Sequence, residues 1–498
     1  MQDILISQKL PGLPDSCWLS RAPKAEFPRF SGSIKCDVVV VGAGIVGLST
    51  ALSLLEGGRS VVVLEARQVG TQVTGRSTAK ITSQHGLIYR DLIERLGVDT
   101  AQLYANANRA GCDQIEHWIG SLDIECDYET KLAYAYACDP SKVRYVEAEV
   151  EAARLMGFAA SFVEPAPLPF GTAGAICFRY QAQFNPTSYL VGLAMAAQGA
   201  GGKIFAWSPA RNFAKDSHLW RVETDEGVAE ATSVVIATNL PVKSPVGYAN
   251  RTQPRCHVAM AYRLPPDHGI DGMFIGIDDP THSIRTGRDD EGELLIVLGP
   301  RFDTGHDGNV AERFRDLDFW VRENLPAQDT LWRWCNEDYE TADRIPYVGE
   351  PSPDEAPGYF IATGFNGWGI SNGTAAGLTM AAKIVTGSDL WPSLYDPCRP
   401  YPKDFHRNGY SQSWVRSLDE ILPGAGGIIE RSGEELAVWR DLDGTLHAVS
   451  AKCTHKGCTV TWNNADWTWD CPCHGSVFEA GGEVMHGPAR EPLPAKDL

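Results

Sequence analysis

The first part of the chain alternates apolar and amphipathic stretches in a regular order. Cys36–Val41 is a short, nearly continuous apolar run, which is typical of a strand buried on both faces of a sheet. Apolar residues then recur with helical spacing over Ile45–Glu56, and a second apolar run follows at Ser60–Glu65. A strand, a helix and a strand joined by short turns predict a βαβ unit.

The later pattern divides the chain further. Residues 90–160 have mainly helical spacing interrupted by predicted strands over Tyr128–Cys138, and residues 200–300 alternate predicted strands with turn residues. The other predicted elements are the strands Leu294–Leu298 and Tyr359–Ala362, the helix Ser371–Val385, and the short strands Leu436–Arg440, Leu446–Ser450 and Val477–Glu479. The short strands at the end predict a small all-β module.

Composition and charge exclude several classes of protein. The chain has 498 residues, of which 43% are hydrophobic and 21% charged, as in an ordinary globular protein. A formal net charge of −19 argues against a nucleic-acid partner or an anionic membrane surface. Residues Met1–Pro14 lack the basic start and apolar run of a signal peptide, and no stretch is long enough to span a membrane. We therefore expect a cytoplasmic protein with no integral membrane segment.

Four of the 13 cysteines are crowded near the C-terminus, in the motifs Cys453-Thr-His455-Lys-Gly-Cys458 and Cys471-Pro-Cys473-His474-Gly-Ser476. Two loops of this kind suit a [2Fe–2S] cluster in which one iron is bound by thiolates and the other by imidazoles. We assign Cys453 and Cys471 to one iron, and His455 and His474 to the other. A zinc site is the alternative, because two cysteines and two histidines also suit Zn²⁺. The flanking Gly and Pro residues and both spacings favour the iron–sulfur cluster.

This block closely resembles the Rieske family. In that family the second cysteine of each motif is not a ligand, and in cytochrome bc-type members the two form a disulfide, which here would join Cys458 and Cys473. Rieske oxygenases typically lack this pair, so the resemblance implies an electron carrier. Reduced thiols remain the alternative for the pair, because a cytoplasmic disulfide is unusual.

The residues after the second motif bear on the cluster potential. High-potential Rieske proteins carry a serine and, two residues later, a tyrosine, whose hydroxyls bond the cluster sulfurs. Ser476 is present here, but Phe478 occupies the second position. One donor fewer makes reduction harder, so we expect a lower potential than in respiratory Rieske proteins. Gly487-Pro488-Ala489 resembles the family's proline loop, which covers the cluster.

A glycine-rich turn follows the first predicted strand. Gly42-Ala-Gly44-Ile-Val-Gly47 opens the first helix, and Glu65 ends the second strand. Glycines at these positions let the backbone approach a pyrophosphate at a helix N-terminus, and a carboxylate at the end of the second strand binds ribose hydroxyls. The pattern predicts a dinucleotide site, with a purely structural turn as the alternative.

Three further blocks resemble the D-amino-acid oxidase superfamily, which includes glycine oxidase and sarcosine oxidase. They are Ala362-Thr-Gly364-Phe-Asn-Gly367-Trp-Gly369, Val234-Val-Ile-Ala237-Thr238 and Thr341-Ala-Asp343-Arg-Ile-Pro346-Tyr-Val-Gly349. The resemblance covers roughly residues 36–388 and implies FAD as the dinucleotide. Together with the glycine motif it implies FAD contacts at Gly42, Ala43, Gly44, Ile45, Val46, Gly47, Glu65, Ala66, Thr74, Arg76, Ser77, Thr78, Ala79, Lys80, Ala210, Ala237, Thr238, Gly364, Phe365, Asn366, Gly367, Trp368, Gly369 and Ile370.

These resemblances imply a fold of two classes, α/β followed by all-β. We expect an N-terminal arm over 1–32 and an FAD-dependent oxidoreductase domain over 33–395, then a linker over 396–413 and a small β-sandwich Rieske domain over 414–498. Within the large domain, a Rossmann-like FAD-binding part takes about 33–100, 170–250 and 330–390. The inserted α+β substrate part takes about 100–170 and 250–330.

The expected substrate site departs from the oxidase pattern. Glycine oxidase-type members have an arginine for the substrate carboxylate five residues before the family's aspartate, and the corresponding residue here is Asp338, next to Glu337. An acidic site would suit a cationic amine better than a simple α-amino acid. The alternative is that these acids form a solvated turn.

Other positions carry weaker expectations. Lys80 falls where sarcosine oxidase has a basic residue beside the flavin, and its charge would stabilise reduced flavin; an ordinary surface lysine is the alternative. Val297 replaces an oxygen-activating lysine in the same resemblance, so we expect weak reactivity with oxygen. Cys335 lies one residue from the position of a covalent flavin link, so we expect no covalent bond. His85, His257 and His282 have no partner spacing, and we expect structural roles for them.

The combined pattern predicts a dehydrogenase with two cofactors. FAD would oxidise an amine or an amino-acid-like C–N substrate, and the Rieske cluster would pass electrons singly to an external protein or quinone-like acceptor. One alternative is an NAD(P)H-dependent reductase that supplies a partner through the Rieske domain. A second glycine-rich fingerprint would favour that function, and the chain has only one. Another alternative is a redox-sensing binding module. The sequence does not identify a catalytic base.

Overall fold

The structure is a computed structural model that describes residues 10–23, 25–216, 218–244, 246–400 and 413–498. Residues 1–9 of the predicted arm and residues 401–412 of the predicted linker therefore lie outside the described part of the chain.

The described residues form seven α-helices. These are α1 Ile45–Glu56, α2 Ile88–Leu96, α3 Val98–Ser121, α4 Val143–Leu155, α5 Pro186–Gly199, α6 Val310–Asn324 and α7 Gly369–Thr386. The predicted helices Ile45–Glu56 and Ser371–Val385 are confirmed as α1 and α7, and residues 90–160 are mainly helical as expected. No helix of the described ranges is long and apolar enough to cross a membrane.

The strands of the large domain fall into two sheets. They are β1 Gly32–Val41, β2 Val61–Leu64, β3 Lys80–Ile81, β4 Glu129–Ala137, β5 Ala160–Val163, β6 Gly174–Gln183, β7 Lys203–Phe205, β8 Asn212–Asp216, β9 Leu219–Glu223, β10 Gly227–Ile236, β11 Thr252–Arg263, β12 Met273–Gly276, β13 Ser283–Asp289, β14 Gly292–Leu298, β15 Phe302–Asp303, β16 Thr330–Thr341, β17 Tyr347–Gly349 and β18 Tyr359–Thr363.

The first sheet is the predicted Rossmann-like layer. Its strand order is β17-β18-β10-β1-β2-β7, with β8 and β9 at the margin beside β10. β1 pairs in parallel with both β2 and β10, so its C-terminal half, Val38–Val41, is buried between two neighbours and under helices. This explains the unbroken apolar run in the sequence. Helices α1 and α7 pack against each other over this sheet.

The second sheet carries the predicted substrate part. Its order is β15-β11-β14-β13-β12-β4-β6-β3, with β16 paired to β11 and β5 to β6. The antiparallel β11–β16 ladder runs from Thr252 opposite Thr341 to Tyr262 opposite Thr330. It therefore joins residues 68 to 89 positions apart in the sequence.

Residues 10–23 of the predicted N-terminal arm pack on the large domain. Cys17 and Trp18 are fully buried, and Leu13 forms a bridge with Trp332 of β16. The Trp18 indole donates a hydrogen bond to the backbone oxygen of Ser77 at 2.9 Å. The arm thus supports the loop that is predicted to carry flavin contacts.

The C-terminal module is an all-β unit of two small antiparallel sheets, as expected. One holds β19 Gly426–Arg431, β20 Glu434–Arg440 and β21 Leu446–Ser450, and the other β22 Thr461–Asn463, β23 Thr468–Asp470, β24 Val477–Glu479 and β25 Val484–His486. Its core includes the buried residues Cys453, Trp469, Cys471 and Phe478.

The module is docked on the large domain. Arg67 forms an ion pair with Glu479 at 2.7 Å, and the Ala311 backbone N–H donates to the Asn464 side chain at 2.9 Å. A Cβ atom on Gly305 would lie only 2.7 Å from the backbone nitrogen of Pro472. The two backbones are therefore in direct contact beside the second cysteine motif.

Candidate functional site

One large cavity lies where the two sheets of the large domain meet the C-terminal module. Its volume is about 1410 Å³, more than the usual range of about 300–1,000 Å³ for small-ligand sites, so a dinucleotide and a substrate fit together. The C-terminal module supplies part of the wall with Glu479, Glu483, Val484, Met485, His486, Gly487, Ala489, Arg490 and Pro492.

The glycine-rich turn at one end has the geometry of a pyrophosphate cradle. Gly42 has a positive φ of 104°, and a Cβ atom there would lie 2.6 Å from the Ala237 backbone oxygen. A Cβ atom on Gly47 would lie 1.9 Å from the Gly42 oxygen, so only glycine allows α1 to begin this close to the turn. The turn places the N–H groups of the α1 N-terminus at the cavity, where they and the helix dipole suit phosphate.

Glu65 directly follows β2 at the same edge of the sheet. Its carboxylate accepts hydrogen bonds from the Ala43 N–H at 2.7 Å and the Arg67 N–H at 2.9 Å. Burial raises the pKa of this carboxyl above its usual value, against these two N–H groups, which lower it. The carboxylate is thus fixed beside the glycine turn, as a ribose-binding acid requires.

The loop predicted to pack on the flavin is held by a buried arginine that sequence reasoning missed. Arg285 of β13 donates to the backbone oxygens of Thr78 at 2.9 Å and Ala79 at 2.7 Å. Burial lowers the pKa of Arg285 to about 10, which still leaves it charged at neutral pH. It stands in a strand with no motif around it, so nothing in the sequence marked it.

Lys80 lines the cavity and is not a surface lysine. Its ammonium donates to the Phe274 backbone oxygen at 2.9 Å and to the Ser283 hydroxyl. Burial and, to a smaller extent, the charge of Arg285 lower the pKa of Lys80 to about 7. The group is therefore poised to gain or lose a proton near neutrality.

The second glycine-rich turn, before α7, borders the same cavity. The Asn366 side chain accepts from the Thr341 N–H at 2.9 Å and donates to the Gly364 oxygen at 2.7 Å, which fixes the turn. The Trp368 ring stacks on His85, with ring centroids 4.5 Å apart.

His85 lies at the cavity wall within a hydrogen-bond network. Its Nε2 is 2.9 Å from the Thr82 backbone oxygen, and its Nδ1 is 2.7 Å from the Tyr104 hydroxyl. Burial lowers the pKa of His85 to about 3, so the ring is neutral. These contacts agree with the structural role expected for it. His257 also borders the cavity, whereas His282 stacks on Trp320.

Most of the predicted FAD residues line this one cavity. Four of them do not, namely Ala43, Gly47, Arg76 and Gly364. Gly47 supports the turn from behind, and the Arg76 backbone oxygen accepts a hydrogen bond from the Trp334 indole at 2.7 Å. Predicted FAD residues that are as far apart in the sequence as Gly42 and Ile370 thus border the same cavity.

The two acidic substrate candidates lie on opposite faces of β16. Asp338 lines the cavity and accepts from the Gly367 N–H at 2.5 Å. Glu337 does not line it, because successive side chains of a strand point to opposite faces. Both side chains are buried, so the interpretation of these acids as a solvated turn is wrong. The prediction that Glu337 belongs to the substrate site is also wrong, because Glu337 does not line the cavity.

Glu337 instead faces the C-terminal module. Its Oε1 lies 3.8 Å from His486 Nε2. Burial raises the pKa of Glu337 well above its usual value and lowers that of His486 to about 4. Burial thus disfavours the charged form of both groups in this contact.

The sequence interpretation also missed the arginines that line the cavity, among them Arg255, Arg301 and Arg344. Arg255 stands directly opposite Asp338 in the β11–β16 ladder and forms ion pairs with Asp303 and Glu340. Arg301 pairs with Glu340, and Arg344 lies 3.5 Å from Asp91. The site is thus of mixed charge and not only acidic, so an anionic group on a substrate also has partners.

The two cysteine–histidine loops bring four predicted cluster ligands together. Cys453 and Cys471 are buried thiols, and the rings of His455 and His474 are 4.8 Å apart between centroids. A hydrogen bond with Cys471 lowers the pKa of Cys453 to about 7, and the His455 and Lys456 N–H groups add to this. Two thiols surrounded by N–H donors beside two imidazoles fit a Rieske-type cluster.

The other two cysteines form the expected disulfide. Cys458 and Cys473 are bonded, with their Cα atoms 6.4 Å apart, and they join the two loops. Cys471 lies close to this pair, but disulfide sulfurs are not available as ligands, so the set Cys453, His455, Cys471 and His474 is the one that suits the metal.

The residues after the second cysteine motif lead to a prediction for the midpoint potential of the cluster. Phe478 is fully buried in β24, and the Ser476 hydroxyl accepts from the Ala489 N–H of the proline loop at 3.0 Å.

Phe478→Tyr should add a donor to a cluster sulfur and raise the midpoint potential by about 40 mV, the equivalent of one hydrogen bond of about 1 kcal/mol. A redox titration followed by electron paramagnetic resonance measures it, with the exposed substitution Tyr145→Phe as control. An unchanged or lower potential would show that Phe478 does not stand at the missing donor position.

The fold and the two sites define a class of protein, namely a flavin oxidoreductase joined to a Rieske iron–sulfur module. The family model for FAD dependent oxidoreductases matches residues 37–383, and that for the Rieske [2Fe-2S] domain matches residues 412–496. The chain belongs to the FAD dependent oxidoreductase family and carries a C-terminal Rieske domain. Its cofactors are therefore FAD and a [2Fe–2S] cluster.

Relatives and solved structures agree with this assignment. The Rieske 2Fe-2S iron-sulfur protein YhfW of Bacillus subtilis (strain 168) is 29% identical over 97% of this chain and 98% of its own length. Gamma-glutamylputrescine oxidoreductase of Escherichia coli (strain K12) is 28% identical over 43% of this chain and 51% of its own. The structure of L-proline dehydrogenase from P. horikoshii, 20% identical, covers 75% of this chain and 98% of its own, with a TM-score of 0.60.

Proposed function

We propose that this protein is a dehydrogenase that oxidises an amine or amino-acid-like C–N substrate and delivers electrons singly, through its Rieske cluster, to an external protein or quinone-like acceptor. The observation that carries the proposal is the shared wall of the cavity, where residues 483–487 of the Rieske domain border the same space as the flavin-binding loops. Fusion of a one-electron carrier directly to the flavin site makes sense where oxygen is not the main acceptor.

The proposed FAD residues divide by role. The turn at Gly42–Gly47 and the α1 N-terminus would hold the pyrophosphate, and Glu65 the ribose. The loop 74–80 and the turn 364–370 would enclose the ring system, with Lys80 and the α7 N-terminus favouring negative charge there. When bound, FAD accepts two electrons from the substrate carbon, and the [2Fe–2S] cluster carries one electron at a time.

The ligand set of the proposed cluster is Cys453 and Cys471 on one iron and His455 and His474 on the other. The buried thiols and neighbouring imidazoles of the two loops support it, and the Cys458–Cys473 disulfide braces the loops. A carrier of this kind needs only a fixed position near the flavin and a surface for its acceptor.

The substrate end of the cavity supports an amine. The Asp338 carboxylate faces a position beside the turn 365–367 where a cationic nitrogen would sit. Arg255, its direct neighbour on β11, and Arg301 line the same cavity and would bind an anionic group. The similarity to gamma-glutamylputrescine oxidoreductase and to L-proline dehydrogenase is consistent with C–N chemistry.

The protonation of Asp338 gives a pH prediction. Burial raises the pKa of Asp338 to about 7, so the carboxylate needed for a cationic amine forms as the pH rises through that value. The kcat/KM of flavin reduction should therefore increase from pH 6 to pH 8, and Asp338→Asn should abolish the increase. The loss at pH 8 should be about tenfold to hundredfold, the equivalent of a charged hydrogen bond of about 1.5–3 kcal/mol.

Glu337→Gln is the matched control for this experiment. It removes the neighbouring buried carboxyl, which faces away from the cavity, and should leave the pH profile of flavin reduction unchanged. A wild-type profile that is flat near neutrality, or an Asp338→Asn variant that keeps the rise, would remove Asp338 from substrate binding.

An anaerobic screen tests the proposed function as a whole. Amines and amino acids are added to the oxidised holoenzyme, and bleaching of the flavin band is recorded, with NADH and NADPH in parallel. Bleaching by an amine at a rate that saturates supports the proposal. Bleaching by NADH or NADPH alone would support a reductase instead, and bleaching by none of these compounds would contradict the proposal.

A further inference from the structure

One of the two imidazoles proposed as cluster ligands is held by the flavin domain. The His474 side chain is buried, and its Nε2 lies 3.3 Å from the Asn250 side-chain oxygen. Asn250 belongs to the short turn before β11, in the large domain. If iron is bound through Nδ1, Nε2 would carry the proton and donate to this oxygen, which would give the ligand ring a fixed partner across the domain boundary.

A second contact is made by a fully buried tyrosine of β16. The Tyr339 hydroxyl donates to the His474 backbone oxygen at 3.1 Å and lies 3.4 Å from the Gly487 oxygen in the proline loop. The Tyr339 backbone oxygen accepts from the Asn366 N–H at 3.0 Å. One residue therefore connects the turn that borders the flavin cavity with the loop that carries His474.

The loop that carries His474 packs closely against this tyrosine. Gly475, the residue after His474, has a positive φ of 72°. A Cβ atom there would lie 2.2 Å from the Glu337 Oε1 and 2.8 Å from the Tyr339 hydroxyl. Glycine is required because the ligand loop lies directly on β16, whose opposite face lines the cavity.

We propose that Tyr339 is a positioning residue that fixes the His474 loop against the wall of the flavin cavity, with Asn250 as a second point of attachment. His474 is then the ligand on the side from which the cluster receives each electron. The proposal rests on the proposed transfer from flavin to cluster. In that step one electron leaves the reduced flavin and enters the oxidised iron pair, and no covalent bond forms or breaks.

The variants Tyr339→Phe and Asn250→Ala test this in the full-length holoenzyme. Tyr339→Phe deletes only the hydroxyl that holds the loop. Tyr89→Phe is the matched control, because Tyr89 is also fully buried and its hydroxyl donates to a backbone oxygen, that of Ser83, at 2.6 Å within the large domain. Should Tyr339→Phe fold poorly, Asn250→Ala tests the same attachment from a surface turn.

The first measurement is the rate of cluster reduction after laser-flash photoreduction of the bound flavin, without any substrate. We expect the rate to fall severalfold in both variants, because the rate of electron transfer decreases steeply as the distance between the flavin and the cluster increases. In Tyr339→Phe the cluster potential should stay as in the wild type, because that hydroxyl donates to the His474 backbone oxygen and not to the ligand imidazole. Tyr89→Phe should keep the wild-type rate. Because no amine is present, this result is independent of whether an amine is the substrate.

The second measurement is amide hydrogen exchange over residues 471–476. Exchange should be faster in both variants than in the wild type and unchanged in Tyr89→Phe, because the loop loses an anchor. Wild-type rates of electron transfer in both variants would overturn the proposal. So would a slower transfer that is fully explained by a shifted cluster potential, since the residues would then tune the cluster and not position it.

Discussion

Replacement of Cys471 by serine is expected to yield protein that retains FAD and lacks the iron–sulfur cluster. Cys471 is buried in the core of the Rieske domain, in hydrogen-bonding reach of Cys453. With the proposed ligand set, its loss removes a thiolate from the iron that would have no histidine ligand. Because cluster binding contributes to folding of a small domain, we also expect the Rieske domain to unfold at a lower temperature.

The same variant should distinguish the reduction of the flavin by substrate from the transfer of electrons to the acceptor. An amine should still bleach the flavin of Cys471→Ser at the wild-type rate, whereas turnover with a one-electron acceptor should fall about a hundredfold or more. Iron analysis, visible spectra and steady-state assays measure these quantities. Cys138→Ser is the control, because Cys138 is an exposed thiol of the large domain. Full iron content in Cys471→Ser would disprove the ligand assignment.

Replacement of Gly47 by alanine is expected to have the opposite effect, with loss of FAD and retention of the cluster. The added Cβ would lie 1.9 Å from the Gly42 oxygen and 3.0 Å from the Gly42 carbonyl carbon, both backbone atoms that have no freedom to rotate away. The turn must open to relieve this contact, at a cost of about 1–3 kcal/mol or more. The N–H groups that face the pyrophosphate then move out of place.

We expect the FAD affinity of Gly47→Ala to fall about a hundredfold or more, as measured by flavin release and fluorescence titration. Gly120→Ala is the matched control, since a Cβ on Gly120 in α3 meets no atom within 4 Å. An alanine in that helix should be neutral or stabilise it by about 0.5–1 kcal/mol. Wild-type FAD affinity in Gly47→Ala would show that the turn is not the pyrophosphate cradle.

The parts of the site that could be predicted from sequence are those encoded in contiguous segments. The glycine turn and the two cysteine–histidine loops have their chemistry within a few residues, so spacing alone determines their local geometry. The apolar run Val38–Val41 likewise predicted a strand. The structure places this strand between two parallel neighbours, which explains why the run is unbroken.

The parts that could not be predicted depend on long-range pairing. Arg255 reaches Asp338 only through the β11–β16 ladder, and Arg285 reaches the loop 77–80 only through the fold of the second sheet. Tyr339 and Asn250 acquire their contacts from the docked Rieske domain. The placement of Glu337 and Asp338 on opposite faces could have been predicted from the sequence. Side chains alternate between the two faces of a strand, so it follows once the acidic run is assigned to a strand.

The most direct test of the central claim, that electrons pass within one chain from a substrate-reduced flavin to the Rieske cluster, is an anaerobic rapid-freeze experiment with a substrate identified by the screen. Samples are examined by electron paramagnetic resonance after mixing, at two protein concentrations. We predict that the signal of a reduced Rieske cluster follows flavin bleaching, at a rate that does not depend on protein concentration. A cluster that stays oxidised while the flavin bleaches, or one reduced only in proportion to protein concentration, would contradict the account.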